Sequence, residues 1–89
     1  MVACMKIKHI NGKLNIIGKN LKKYRKLRGY SQRELCDKLE LFGISMYHSD
    51  IHHIEHGEKT IRDYEIAAIC KALNISLDNL FENTDKEFE

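Results

Sequence analysis

Four histidines crowd one short stretch of this 89-residue chain: His48, His52, His53 and His56, with Asp50 among them. The pairs His48/His52 and His52/His56 stand four residues apart. On a helix that spacing puts two imidazoles on one face, where they can chelate Zn, Ni or Cu. Such a site needs a third ligand, and no cysteine or acidic residue is fixed nearby by the sequence, so no metal site is expected. The other chemistry open to these side chains is hydrogen bonding from a polar outer face. An unperturbed imidazole titrates at ~6.5, so acidification would add positive charge there. The three cysteines, Cys4, Cys36 and Cys70, are odd in number and widely spaced. They suit neither a disulfide framework nor a zinc clip, and they fit a reducing, cytoplasmic setting. No nucleophile–base pair, glycine-rich phosphate loop or metal-ligand triad stands out. Neither an enzyme, nor a cofactor, nor a small-molecule substrate is expected.

Charge divides unevenly along the chain. Residues 1–33 carry ten Lys or Arg and no Asp or Glu, a formal charge of +10. Residues 34–89 carry five Lys or Arg against thirteen Asp or Glu, a formal charge of −8. Such a split suggests a face for a polyanion with an acidic back, although a merely solvated basic helix accounts for it equally well. No apolar run approaches the ~18 residues of a membrane span. The first eight residues lack the apolar segment of a secretory signal.

The elements that position the histidines follow from apolar spacing. Residues 1–15 form an N-terminal arm. Its Asn11-Gly12 pair, flanked by Ile7, Ile10, Leu14 and Ile16, fits a type I′ turn, so a short hairpin and an ordered coil are both compatible. Ile17, Leu21, Tyr24 and Leu27 make one stripe on a first helix, with Gly29 as its stop. Ser31 and Glu34 form a capping box opening a second helix, with Leu35, Cys36, Leu39 and Phe42 inward and Gly43 as its stop. A third helix runs from about Tyr47 to His56, anchored by Ile51 and Ile54 and ended by Gly57. Asp63 is a candidate cap for a fourth helix, whose inner face is Ile66, Ile69, Cys70 and Leu73. Ser76 caps a last turn containing Leu77, Leu80 and Phe81. The acidic tail, 83–89, should fray. The expected fold is all-α: five short helices around one core over residues 16–82, with Cys36 and Cys70 buried and inert and Cys4 exposed.

The segments IGKNLKKYRKLRGYSQRELC, IHHIEHGEKT and DYEIAAICKALNISLDNLF, in this order, resemble the Cro/C1-type (XRE-like) helix-turn-helix domain. The resemblance covers about three quarters of the chain. The stretch Leu39–Met46 is longer than the family's commonest turn and is similar to a variant of Gram-positive transcriptional regulators. The likeness implies a lambda-repressor-like domain that binds double-stranded DNA as a homodimer, a transcriptional regulator of repressor type. A protein-interaction module of the same fold, antitoxin-like or an anti-repressor partner, is the competing reading.

By the same likeness, the third helix enters the major groove. His48, Ser49 and His53 then occupy the base-reading positions, with Asp50 and His52 as secondary candidates. Gln32 takes a place that contacts the DNA backbone, joined by Ser31, Tyr47 and the loop residues Lys59, Thr60 and Arg62. Arg25 and Glu55 match a structural ion pair tying the first helix to the end of the third. Two departures stand out. Tyr47 replaces the usual capping Ser or Thr and cannot cap, so either Ser45 caps an earlier helix start or the tyrosine lies against the DNA backbone. The reading helix also has no Lys or Arg.

Overall fold

The computed structural model describes residues 10–89. Asn11 (φ 52°) and Gly12 (φ 77°) both adopt the left-handed region, as a two-residue I′ turn requires. Ile10 and Lys13 exchange two backbone hydrogen bonds of 2.9 Å across it. The hairpin is thus real but only one bridge long; Ile7 and Cys4 lie outside the described residues.

Five α-helices follow: α1 (Gly18–Leu27), α2 (Gln32–Glu40), α3 (His48–Glu55), α4 (Asp63–Leu73) and α5 (Leu77–Leu80). A 3₁₀ turn, Thr84–Phe88, closes the chain. The capping box of α2 is complete: the Glu34 N–H donates to Ser31 Oγ (3.0 Å) and the Ser31 N–H to the Glu34 carboxylate (2.8 Å). Ser76 caps α5 through the Asn79 N–H. Asn74 ends α4 in the left-handed conformation. α4 starts one residue earlier than its sequence suggests. Arg62, not Asp63, is the N-cap residue, and its N–H is taken by the Glu65 carboxylate at 2.8 Å.

The core is a single cluster: Ile17, Leu21, Leu35, Leu39, Ile51, Ile54, Ile69, Leu73 and Leu80 are fully buried. α1 packs on α3, α4 and α5, and α2 packs on α3 and α4. Two expected core residues are outside. Leu27 is 65% exposed and Phe42 48% exposed. Each i+3 step falls about 60° short of a full helical turn, so two in succession carry Leu27 about 120° away from Leu21. Arg25, nearly in line with Leu21, takes the inward place instead. Phe42 lies past the end of α2, in the turn. The tail folds back on the domain, with Glu82 and Glu87 bonded to side chains of the first third of the chain.

Candidate nucleic-acid interface

α3 is a short rod with two sides. Ile51 and Ile54 are fully buried, while His48, Ser49, His52 and His53 are exposed. Asp50 behaves differently from its neighbours. It is half-buried, and its carboxylate accepts the Tyr47 N–H at 2.9 Å. Tyr47 is therefore the N-cap residue, and Ser45 does not start the helix. The tyrosine ring contributes nothing to the cap; Asp50 supplies half a capping box from within α3, and the phenol stands 78% exposed. Asp50 thus orders the helix start with the oxygen atoms expected to face a base.

The opposite end of α3 is clamped. Arg25 Nε and Nη2 donate to the two Glu55 oxygens at 2.6 and 3.0 Å. Both residues are buried, and Arg25 Nη1 also donates to the Tyr30 carbonyl. The ion pair implied by the resemblance is thus present, joining α1 to α3. Gln32, expected at a phosphate, points elsewhere: its amide donates to Glu55 Oε1 at 3.1 Å. Its side chain ties the start of α2 to the same carboxylate, which leaves its backbone N–H as the group free for an anion at that helix start.

Sequence reasoning missed three residues. Asn15 is buried, and its oxygen accepts the N–H groups of Ile17 (3.1 Å) and Gly18 (2.9 Å). Its nitrogen donates to the carbonyls of Ile54 (3.0 Å) and Lys59 (2.8 Å). One carboxamide thus caps α1 and pins the end of α3 and the following loop. The available signal was an Asn just ahead of the first apolar stripe, where capping residues concentrate. Gly18 lies so close to α3 that a Cβ there would stand 2.3 Å from the Ile54 carbonyl oxygen. Glu58, the third, reaches back to His53 with 2.9 Å between Oε1 and Nδ1.

In the loop after α3, Lys59 is half-buried while Thr60 and Arg62 are exposed. Ser31 is exposed at the start of α2, with its hydroxyl engaged by Glu34. The basic first third is less available than its charge implies. Arg25 is paired with Glu55, and Lys13 Nζ lies 3.2 and 3.1 Å from the Glu87 oxygens. Lys23 pairs with Glu82, which also accepts from Tyr24 at 2.7 Å. Arg28 donates to the Leu73 and Asn74 carbonyls at the end of α4. Hydrogen bonds from Lys23 and Tyr24 hold the Glu82 carboxyl below its ordinary value, and those from Lys13 and Asn11 do the same for Glu87. Basic start and acidic end therefore neutralise each other in part. Lys19, Lys22, Lys26 and Arg33 remain exposed.

The His52 and His56 rings lie 4.2 Å apart, tilted, and His56 Nδ1 is engaged by the His52 carbonyl at 2.8 Å. Among the described residues no group of three or more His, Cys, Asp or Glu is arranged to hold a metal ion. Cys36 and Cys70 are buried, and burial pushes both thiols up. Among the described residues no helix is long and apolar enough to cross a membrane.

α2, a seven-residue connection (41–47) and a short α3 with one polar face form a helix-turn-helix. A helix-turn-helix family model matches residues 21–80, from within α1 to the end of α5. The chain belongs to the Cro/C1-type (XRE) helix-turn-helix family, whose members are DNA-binding transcription regulators. No curated protein matches it.

Proposed function

We propose that the protein is a sequence-specific repressor that reads the major groove with α3 as a homodimer. The observation that carries this reading is the division of α3 itself. Two isoleucines are fully buried, the Arg25–Glu55 pair fixes the far end, and His48, Ser49, His52 and His53 are left exposed together. His48, Ser49 and His53 read bases, with His52 beside them and Asp50 acting mainly through the helix start. Ser31, Tyr47, Lys59, Thr60 and Arg62 contact the backbone, and Gln32 does so through its N–H. One short helix covers few base pairs, so two copies are needed for useful affinity. Leu77 and Phe81, exposed on and just after α5, offer an apolar surface for the second copy.

A second reading is an interaction module that keeps the fold without binding DNA. One observation favours it: α3 carries no Lys or Arg, and the chain's own carboxylates occupy Arg25, Lys13 and Lys23. Titration of the purified protein into labelled duplexes at two salt concentrations separates the two. A DNA reader loses affinity steeply with salt, with a log–log slope of about −0.9 per phosphate neutralised. Absence of binding at low salt selects the interaction module.

A further inference from the structure

We propose that Glu58 is a positioning residue for base choice: it holds the neutral His53 ring in its Nδ1–H form and leaves Nε2 as a hydrogen-bond acceptor. The inference rests on the reading of α3 as the base-reading helix. The pair is built by the backbone. Gly57 takes φ 74° just past α3, its N–H donates to the Ile54 carbonyl (3.0 Å), and the Glu58 N–H donates to the His53 carbonyl (2.8 Å). These are the two bonds of a Schellman turn, and they fold residue 58 back over residue 53. The Glu58 carboxylate then sits 2.9 Å from His53 Nδ1.

An ionised carboxylate has no proton to give, so the ring nitrogen must be the donor. That same hydrogen bond holds the Glu58 carboxyl below its ordinary value and keeps it ionised. In a neutral imidazole the other nitrogen is then a bare lone pair. A lone pair at Nε2 matches the exocyclic amines of adenine N6 and cytosine N4. It does not match guanine in the major groove, where N7 and O6 are both acceptors. Without Glu58 the ring is free to carry its proton on Nε2, and guanine becomes acceptable.

The other titratable groups around this pair are the His52 ring, edge-on at 5.5 Å from His53, and His56, which together with His52 acts on Glu58. His56 supplies an internal control. Its Nδ1 faces the His52 carbonyl, which only accepts, so it is held in the same form without help from Glu58.

The first experiment needs no DNA. Ring-nitrogen NMR correlations are recorded for the wild type and Glu58→Ala at a pH where the rings are neutral. His53 is expected as Nδ1–H in the wild type and as mainly Nε2–H in the variant, with His56 unchanged. An Nε2–H His53 in the wild type, or no change in the variant, overturns the proposal. The second experiment selects binding sites from randomised duplexes at the same pH. Wild type is expected to favour adenine or cytosine at one position per half-site, and Glu58→Ala to shift that preference toward guanine by about tenfold. Identical preferences from two DNA-binding proteins overturn the base-choice role. Failure of both to bind DNA at low salt overturns the reading of α3, and base choice with it, while the NMR result still decides the ring's form.

Discussion

The guanidinium of Arg25 grips the Glu55 carboxylate by both oxygens, at 2.6 and 3.0 Å, with the two residues only 7% and 6% exposed. Removing one partner strands a buried charge. Arg25→Ala or Glu55→Ala should therefore lower stability by about 3–5 kcal/mol, read as the midpoint and slope of urea unfolding. Arg25→Met combined with Glu55→Leu should recover most of that loss, because an apolar pair of similar volume needs no compensating charge. A double variant as unstable as either single one would mean that the Gln32 and Tyr30 bonds matter more than the pair.

Gly18→Ala should be destabilising although the position is helical. The added Cβ meets backbone, the Ile54 oxygen at 2.3 Å and the Glu55 oxygen at 2.9 Å, so no side chain can swing aside. A loss of about 1–3 kcal/mol or more is expected, lowering the melting temperature by about 4–8 °C per kcal/mol. An unchanged melting curve would show that α1 can slide along α3 freely.

Tyr47→Ser should stabilise the fold. Asp50 already accepts the residue 47 N–H, and a serine hydroxyl would complete the capping box that tyrosine cannot. A gain of about 1 kcal/mol in chemical unfolding is expected. If Tyr47 also touches the DNA backbone, the same variant should bind all duplexes more weakly while being more stable, which separates the two roles in one protein.

Acid should loosen the closure of the chain ends. The carboxyls of Glu82 and Glu87 have folded-state values below the ordinary 4.5, held there first by hydrogen bonds from Lys23 and Lys13 respectively. Their contribution is fully present above the unfolded value and disappears as pH falls through the folded one. Stability should fall on going below about pH 4.5, and Glu82→Gln with Glu87→Gln should flatten that limb. A double variant with an unaltered acid profile would place the acid sensitivity elsewhere, at Glu34 or Glu58, whose carboxyls are also lowered.

Local signals carried most of the architecture. The Ser31/Glu34 box, the Asn11-Gly12 turn and the stops at Gly29, Gly43 and Gly57 each act within a few residues and stand where the sequence puts them. The burial of Ile51 and Ile54 follows from their spacing. Local pattern misplaces Leu27, Phe42 and the α4 cap, and the larger misreadings are non-local. Composition argues that an acidic tail is solvated, yet Glu87 meets Lys13 from 74 residues away. The +10 segment reads as a face for an anion until Arg25, Lys23 and Lys13 are seen to have partners in the same chain. Gln32 looks exposed at the first position of α2, and only the packing of α2 against α3 turns its amide toward Glu55.

Glu87 reaches both Asn11 and Lys13, while the Leu14 N–H is bound by the Gly57 carbonyl at the foot of α3. Chain entering at residue 10 and chain leaving beyond residue 87 therefore share one pole of the molecule. Probes attached at residues 11 and 87 would sit side by side at that pole.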